Sequence, residues 1–432
     1  MSLKSWGNFP KHLSKIVRVS QRDDISSALN QHDSVIAYGN GRSYGDSALA
    51  DVQLDLRSLS YFKSFDEKTG VLEVEAGVML ADILKSLVPR GWFLLISPGT
   101  KLITVGGAIA SDIHGKNHHH SGCFSESVID MDIQLVDGRI VRCSKTKNSH
   151  VFKATCGGQG LTGFILSARL QLKKINSSSL ATTTYKTFSL LETFDKFDQC
   201  QNDTYSVAWI DCMASGDKLG RSLITSGEFL EDNNLDYKPL QRWSVPFYFP
   251  AFLLNKWTVK LFNIAYFNKV RKLKTKCSSD LDSFFYPLDS ISKWNRIYGK
   301  KGFVQYQFIL PLADSYDGIS EALKLISASG RGSFLAVLKL NGPENENYLS
   351  FPMQGYSLAL DFKIDKHLFS FLDKLDKIVL KYKGRIYLAK DARMPKAVFQ
   401  AGYTKLDQFR EIRNKLDPKK QLSSKQSSRL DL

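Results

Sequence analysis

Three glycine-rich stretches offer backbone, rather than side chains, as the means of holding a ligand. The first is Gly39-Asn40-Gly41-Arg42-Ser43-Tyr44-Gly45-Asp46, directly after the apolar run Val35–Tyr38. Its three glycines within seven positions permit positive φ and let successive N–H groups converge on an anion, to which Arg42 adds a charge. The same run could equally be a plain tight turn. The second stretch runs through Ser97-Pro98-Gly99-Thr100 and Thr104-Val105-Gly106-Gly107 to Asp112-Ile113-His114-Gly115-Lys116-Asn117-His118-His119-His120. Small residues there allow close approach to a flat or extended ligand, and the hydroxyls of Thr100 and Thr104 can bond its polar edge. The third is Gly157-Gly158-Gln159-Gly160-Leu161-Thr162-Gly163. Together they describe a long cofactor threaded between loops. Neither a GxGxxG turn opening a βαβ unit nor a P-loop of the GxxxxGKS/T type is present, so the common nucleotide-binding routes are unsupported. Adjacent histidines at 118–120 point in different directions and have no second ligand group at a characteristic spacing, so no metal site is expected.

The elements that must position these loops read as α+β. In the first third, strands are expected at Val35–Tyr38, Leu72–Glu75, Phe93–Ile96, Ile129–Val136 and Ile140–Cys143, with a turn at Asp137–Gly138 and one convincing helix, Met79–Leu87. A strand at Phe164–Leu172 is followed by the polar stretch Asn176–Thr184, which reads as a domain boundary. Beyond it, helices are expected at Leu190–Cys200, Gly318–Ser329 and Lys366–Lys383, the last stopped by Gly384. Strands are expected at Ser206–Ile210, Phe303–Leu310, Phe334–Leu340, Tyr356–Phe362 and Arg385–Lys390. The polar tail from Pro418 is expected to be loosely ordered.

The chain of 432 residues is 43% apolar and 24% charged, enough to bury a core in two or three domains. Its net charge of +16 favours polyanions, phosphorylated substrates or an anionic membrane. Six cysteines without CxxC spacing suggest free thiols in a reducing compartment. No apolar signal-peptide core and no membrane-spanning run is visible, so a cytoplasmic location is expected, peripheral at the inner membrane. From Trp243 to Lys276, aromatics run into a series of Lys and Arg, which suits either a membrane–water interface or a core segment with a solvated basic end.

The segments GNGRSYGDSAL, SPGTKLITVGGAIASDIHGKNHH, ATCGGQGLTG, WNRIYGKKGFVQYQF, LKLNGP and YLAKDAR follow one another over most of the chain. In that order they resemble the decaprenylphosphoryl-β-D-ribose 2′-oxidase family of the vanillyl-alcohol-oxidase flavoproteins. The resemblance implies a two-subdomain PCMH-type FAD-binding domain over residues 1–176 and 385–432, and a substrate-binding domain with a mixed antiparallel sheet over 177–384. FAD would meet Gly39, Asn40, Gly41, Arg42, Ser43, Tyr44, Gly99, Thr100, Thr104 and Gly107. Gly160 and Ile165 would pack along it, with His114, Tyr387 and Lys390 near the ring. Many relatives attach FAD to a histidine in the first loop, where this chain has Tyr44, and the gap Lys101-Leu102-Ile103 lacks the alternative cysteine. Noncovalent FAD is therefore expected.

Alcohol oxidation by a flavin needs a group for the hydroxyl proton and positive charge where the reduced ring becomes anionic. Lys390 is the first choice for the reacting centre, with Tyr44 and His114 completing the candidate catalytic set. The resemblance assigns His114, Lys116, Tyr298, Gln305, Gln307 and Lys339 to the substrate pocket. Gln305 and Gln307, two apart on a strand, face one side, and Lys116 and Lys339 could neutralise a phosphodiester. Trp209 could wall the pocket or be core. Where familiar members have a cysteine beside the flavin, this chain has Ala359, with Ser357 two residues earlier. The implied reaction oxidises the 2′-hydroxyl of a polyprenylphosphoryl-β-D-ribose-like lipid sugar to the 2-keto sugar. That is the first half of an epimerisation to the arabinose form in cell-envelope polysaccharide biosynthesis, completed by a short-chain-dehydrogenase-type reductase. The alternatives are an FAD-dependent oxidase of a soluble sugar, aldonolactone or alditol using O2, and a nonenzymatic basic protein on nucleic acid. The latter leaves the glycine clusters unexplained.

Overall fold

The computed structural model describes residues 3–239 and 243–432. Three sheets organise the chain. A small parallel sheet has the strand order Lys15–Arg18, Val52–Asp55, Ile36–Tyr38. A six-stranded antiparallel sheet centres on the long strand Phe164–Lys174, flanked by Val71–Glu75 and Val128–Gln134, with Trp92–Leu94 pairing at its end. The helix Leu80–Leu87 packs here because Leu80, Ile83, Leu84 and Leu87 recur at helical spacing and are all buried.

The third sheet has eight antiparallel strands, with Ala336–Asn341, Gly355–Lys363 and Phe303–Pro311 near one end and the two-residue strand Arg385–Ile386 at its edge. Its apolar face is covered by the helices Leu190–Gln199, Ser315–Ser329 and Leu368–Lys381, the last followed by Lys383 at φ +54°, ahead of Gly384. No helix among the described residues is long and apolar enough to cross a membrane.

Several expectations need correction. The first third holds further helices at Arg22–Gln31, Val105–Ala110 and Ser149–Thr155. The glycines in Val105–Ala110 hide it from propensity, but Thr104 caps it by accepting from the Gly107 N–H at 3.1 Å. The polar stretch Asn176–Thr184 is largely strand: Ser179–Thr187 pairs on both sides, its threonines bonding across to Cys277 and Thr225. Lys390 does not lie on a strand. After Ile386 the chain turns, with the N–H groups of Lys390 and Asp391 both returning to the Tyr387 carbonyl at 3.0 Å. Nor is the tail loose. Leu422 bridges Val35, helix Lys425–Leu430 is capped by Ser424, and Leu430 and Leu432 are buried. Arg429 bonds to Asp46 at 2.8 Å and to Asp391 at 2.7 Å, so the tail clamps the first glycine loop to the turn after Lys390.

Candidate active site

Residues opposite one another in an antiparallel pair share a face. Gln305 pairs with Asp361, Gln307 with Ala359, Ala359 with Val337, Val337 with Trp209, and Ser357 with Lys339. One face of the large sheet thus carries glutamines, a lysine, a serine and an aspartate. The alternate residues Tyr306, Phe308, Leu338, Leu358 and Leu360 fill the core on the other face. The same strands do two jobs because side-chain direction has a period of two.

The glycine loops meet opposite the polar face. A Cβ on Gly39 would come within 2.5 Å of Thr104 Oγ1, and one on Gly45 within 1.7 Å of the Asp391 carbonyl, so the first loop touches both the second loop and the turn after Lys390. Gly41 has φ +59°, and a Cβ there would strike the Tyr38 hydroxyl. Asn40 Nδ2 and Arg42 Nε both donate to the Leu102 carbonyl, at 2.8 and 3.3 Å. Gly99 has open space around it, and Gly160, at φ +79°, meets only Ile36. This is a backbone cradle with room along it.

At the end of the cradle the Tyr44 N–H donates to the Ala389 carbonyl at 3.0 Å, and Lys390 Nζ sits 3.9 Å from the centre of the Tyr44 ring. Burial pushes Lys390 down to about 7, partly countered by Asp361, and pushes Asp361 up to about 7, partly countered by Gln305 and Lys390. Gln305 Nε2 donates to Asp361 at 2.7 Å, the Tyr298 hydroxyl at 3.4 Å, and the Asp361 N–H donates to Ser333 Oγ. Burial also lowers Lys116 to about 7 and Lys339 to about 8. The Lys116 ammonium donates to the Phe284 carbonyl, whereas Lys339 finds no side-chain or backbone partner among the described residues.

His114 is held neutral by burial and by the nearby charges of Lys339, His118 and Lys390. The Gln307 amide donates to its Nε2 at 3.0 Å, which leaves the ring proton on Nδ1, and that buried atom has no partner among the described residues. Tyr387 donates to the Ser111 carbonyl at 3.0 Å and stacks on Phe351. An unpartnered buried donor, cations outnumbering carboxylates and a glycine cradle all fit an extended anionic cofactor with a polar ring edge.

Among the sequence-derived residues, Tyr44, His114, Lys116, Tyr298, Gln305, Gln307, Lys339, Tyr387 and Lys390 come together around this sheet face, and Gly39–Ser43, Thr104 and Gly107 line the approach. Three behave differently. The Thr100 hydroxyl is taken by Asp289 at 2.7 Å. The Ile165 side chain packs in the core of the six-stranded sheet. Trp209 shares the polar face but turns its ring onto Tyr266 and its N–H to the Phe334 carbonyl. His118 and His119 serve the scaffold, accepting from the Gly342 N–H and bonding the Asp203 carbonyl. Asp361 is the residue that sequence reasoning missed. Its signal was the parity of Ser357 and Ala359, which extends two positions to Asp361. Asp112 was missed as well, a buried carboxylate that takes hydrogen bonds from Asn345, Asn347 and Ser350 and so ties the second glycine stretch to the segment after Asn341.

A cradle of this kind, closed by a lysine from the far end of the chain, defines an FAD-dependent oxidoreductase acting on CH–OH groups, and a family model for the FAD binding domain matches residues 13–144. A second model, D-arabinono-1,4-lactone oxidase, matches residues 356–430. The chain is 35% identical to the decaprenylphosphoryl-β-D-ribose oxidase of Mycolicibacterium smegmatis over 100% of its own length and 97% of the relative's. It therefore belongs to the decaprenylphosphoryl-β-D-ribose oxidase family. It is also 27% identical to an uncharacterised Streptomyces coelicolor protein over 82% of this chain and 100% of that one. With L-gulonolactone oxidase of Mus musculus it shares 28% identity over 39% of this chain and 38% of the relative.

Proposed function

We propose that this flavoprotein oxidises the 2′-hydroxyl of a polyprenylphosphoryl-β-D-ribose-like lipid sugar to the 2-keto sugar, which a separate short-chain-dehydrogenase-type reductase would take on to the arabinose form. The observation that carries this reading is the run of partly buried cations, Lys116, Lys339 and Lys390, of which only Lys390 faces a carboxylate, Asp361. A neutral sugar does not repay the desolvation of three ammonium groups; a phosphodiester does. FAD, held noncovalently along Gly39–Ser43, Gly99, Thr104, Gly107 and Gly160, supplies the hydride acceptor.

The protein's own part is positioning and proton handling. Gln305 and Tyr298 aim the Asp361 carboxyl, which takes the hydroxyl proton. Lys390, with a proton affinity brought close to that of Asp361 by burial, lets the pair redistribute that proton near neutral pH. The free N–H at His114 Nδ1 is a fixed donor to the ring edge or the sugar, and Lys339 and Lys116 bind the phosphodiester. In this reading residues 1–176 and 385–432 form the FAD-binding domain and 177–384 the substrate-binding domain, with the enzyme peripheral at the membrane that holds its lipid substrate. The match of residues 356–430 to a lactone oxidase favours a second reading, a soluble sugar lactone, because that segment contains both Asp361 and Lys390. Lys116 and Lys339 lie outside it. The test is to release and identify the cofactor with acid, then follow bleaching of its visible band without oxygen. Reduction by polyprenylphosphoryl ribose and not by aldonolactones is expected; the reverse pattern overturns the first reading.

A further inference from the structure

The helix Lys256–Asn268 is fastened to the large sheet by its inner side. Val259 and Phe267 are buried, and buried Asn263 donates to Asp211 at 2.8 Å, a carboxylate that Arg221 also holds at 2.6 Å. Its outer side is unlike that of a water-facing helix. Trp257 and Leu261 are each 69% exposed, Ile264 completes the stripe one turn on, and Phe252 in the preceding turn is 73% exposed. A helix held this firmly cannot roll the stripe inward, so the stripe meets either water or a partner.

The charge around it selects the partner. Between Trp243 and Ser279 the sequence has no Asp or Glu; Lys256 and Lys260 flank the stripe, and five more Lys or Arg lie between Lys269 and Lys276. None of these cations is ion-paired among the described residues. Tyr248 of the same segment also lines a cleft of about 470 Å³ with Lys4, Lys11 and Lys300, which carries the positive rim further round the surface. A second copy of the chain would bring the same positive charge, on a molecule of net charge +16, against this face. An acidic lipid surface satisfies both features, because its headgroups attract the lysines while Trp257, Leu261 and Ile264 enter the acyl boundary.

The face also lies close to the reacting centre. Phe262 meets Phe334 edge-on at 5.7 Å between ring centres, and Phe334 stacks on Tyr298 at 5.6 Å, whose hydroxyl bonds Asp361. We propose that the outer face of helix Lys256–Asn268 seats the enzyme on an anionic bilayer, with the Asp361 carboxylate behind the rings of Phe334 and Tyr298. The seating stands on charge and exposure alone; the purpose, to lift a lipid-linked sugar directly from the bilayer, rests on the reading under Proposed function.

The test is flotation of the FAD-loaded enzyme with phosphatidylcholine vesicles, with and without phosphatidylglycerol. Salt-sensitive flotation with phosphatidylglycerol vesicles only is expected. Trp257→Ser combined with Leu261→Ser and Ile264→Ser should lower partitioning about tenfold or more, and Lys256→Glu with Lys260→Glu should abolish the lipid selectivity. Tryptophan quenching by brominated acyl chains should weaken in Trp257→Phe. Flotation equal in the stripe variant and the parent, no flotation of the parent, or concentration-dependent self-association abolished by the stripe variant would each overturn the proposal. Flavin bleaching by a detergent-solubilised polyprenylphosphoryl ribose should be unchanged in the stripe variant. If bleaching fails in the parent while flotation succeeds, the substrate reading falls and the docking surface stands.

Discussion

The two faces of the eight-stranded sheet are made by the same strands and differ in everything else. On one side Leu338, Leu358, Leu360 and Phe308 are fully buried against helices. On the other, one residue along in each case, Lys339, Ala359, Asp361 and Gln307 share a face, where Gln307 bonds His114 from the second glycine stretch. The first face lowers free energy by burying apolar surface; the second holds desolvated charge whose value is realised only with a ligand. The contrast shows that stability and chemistry can be assigned to alternate positions, and substitutions at neighbouring residues should separate them.

The largest separation is expected at the reacting pair. Asp361→Asn should slow anaerobic flavin reduction by about 10²–10⁴-fold while the protein stays folded with FAD bound. The pH profile sharpens this: a base with its proton affinity raised to about 7 works only when deprotonated, so the reduction rate should fall as pH drops through about 7, and the Asp361→Asn variant should lack that limb. The stability sign is opposite. The folded state holds a proton on Asp361 that the unfolded chain has already released above its ordinary value near 4, so this group's contribution is present at low pH and lost as pH rises through about 7. Asp361→Asn should therefore melt no lower than the parent at pH 8.

Leu358→Ala, on the opposite face, should cost about 2–5 kcal/mol in denaturant unfolding and leave the reduction rate of the folded fraction nearly unchanged. Lys339→Met should raise the KM for a phosphorylated lipid sugar roughly tenfold with little change in kcat, and have no such effect on an unphosphorylated analogue. The smallest effect is expected at Ala359. The parent should resist thiol-directed inactivators of this site, and Ala359→Cys should acquire sensitivity, read by loss of turnover, with basal activity altered less than about twofold.

How far the sequence carried this picture follows from where each signal resides. The glycine loops and the paired Gln305 and Gln307 were legible because glycine spacing and strand parity are local, whereas Lys390 was named from the family resemblance. Asp361 carried the same parity signal and went unread, since a lone carboxylate near a strand end resembles any other until its partner strand supplies Gln305. The turn at Lys390 was hidden because Ile386–Ala389 is apolar and strand-like, and the bend is held by the return bonds to the Tyr387 carbonyl and by the Tyr44 N–H on the Ala389 carbonyl. The threonine-rich strand Ser179–Thr187 looked like a linker because its inward hydroxyls are satisfied by neighbouring strands rather than by water. The aromatic segment left two readings open, and the exposure of Trp257 and Leu261 now weighs against the core reading.

The grip of Arg429 on Asp46 and Asp391 has a consequence for biosynthesis. The loop that begins the cradle and the turn that ends it are separated by more than three hundred residues, and the residue that locks them emerges from the ribosome after both. The loop and the turn are therefore pinned to each other only once the region near residue 430 has been made and has docked against both.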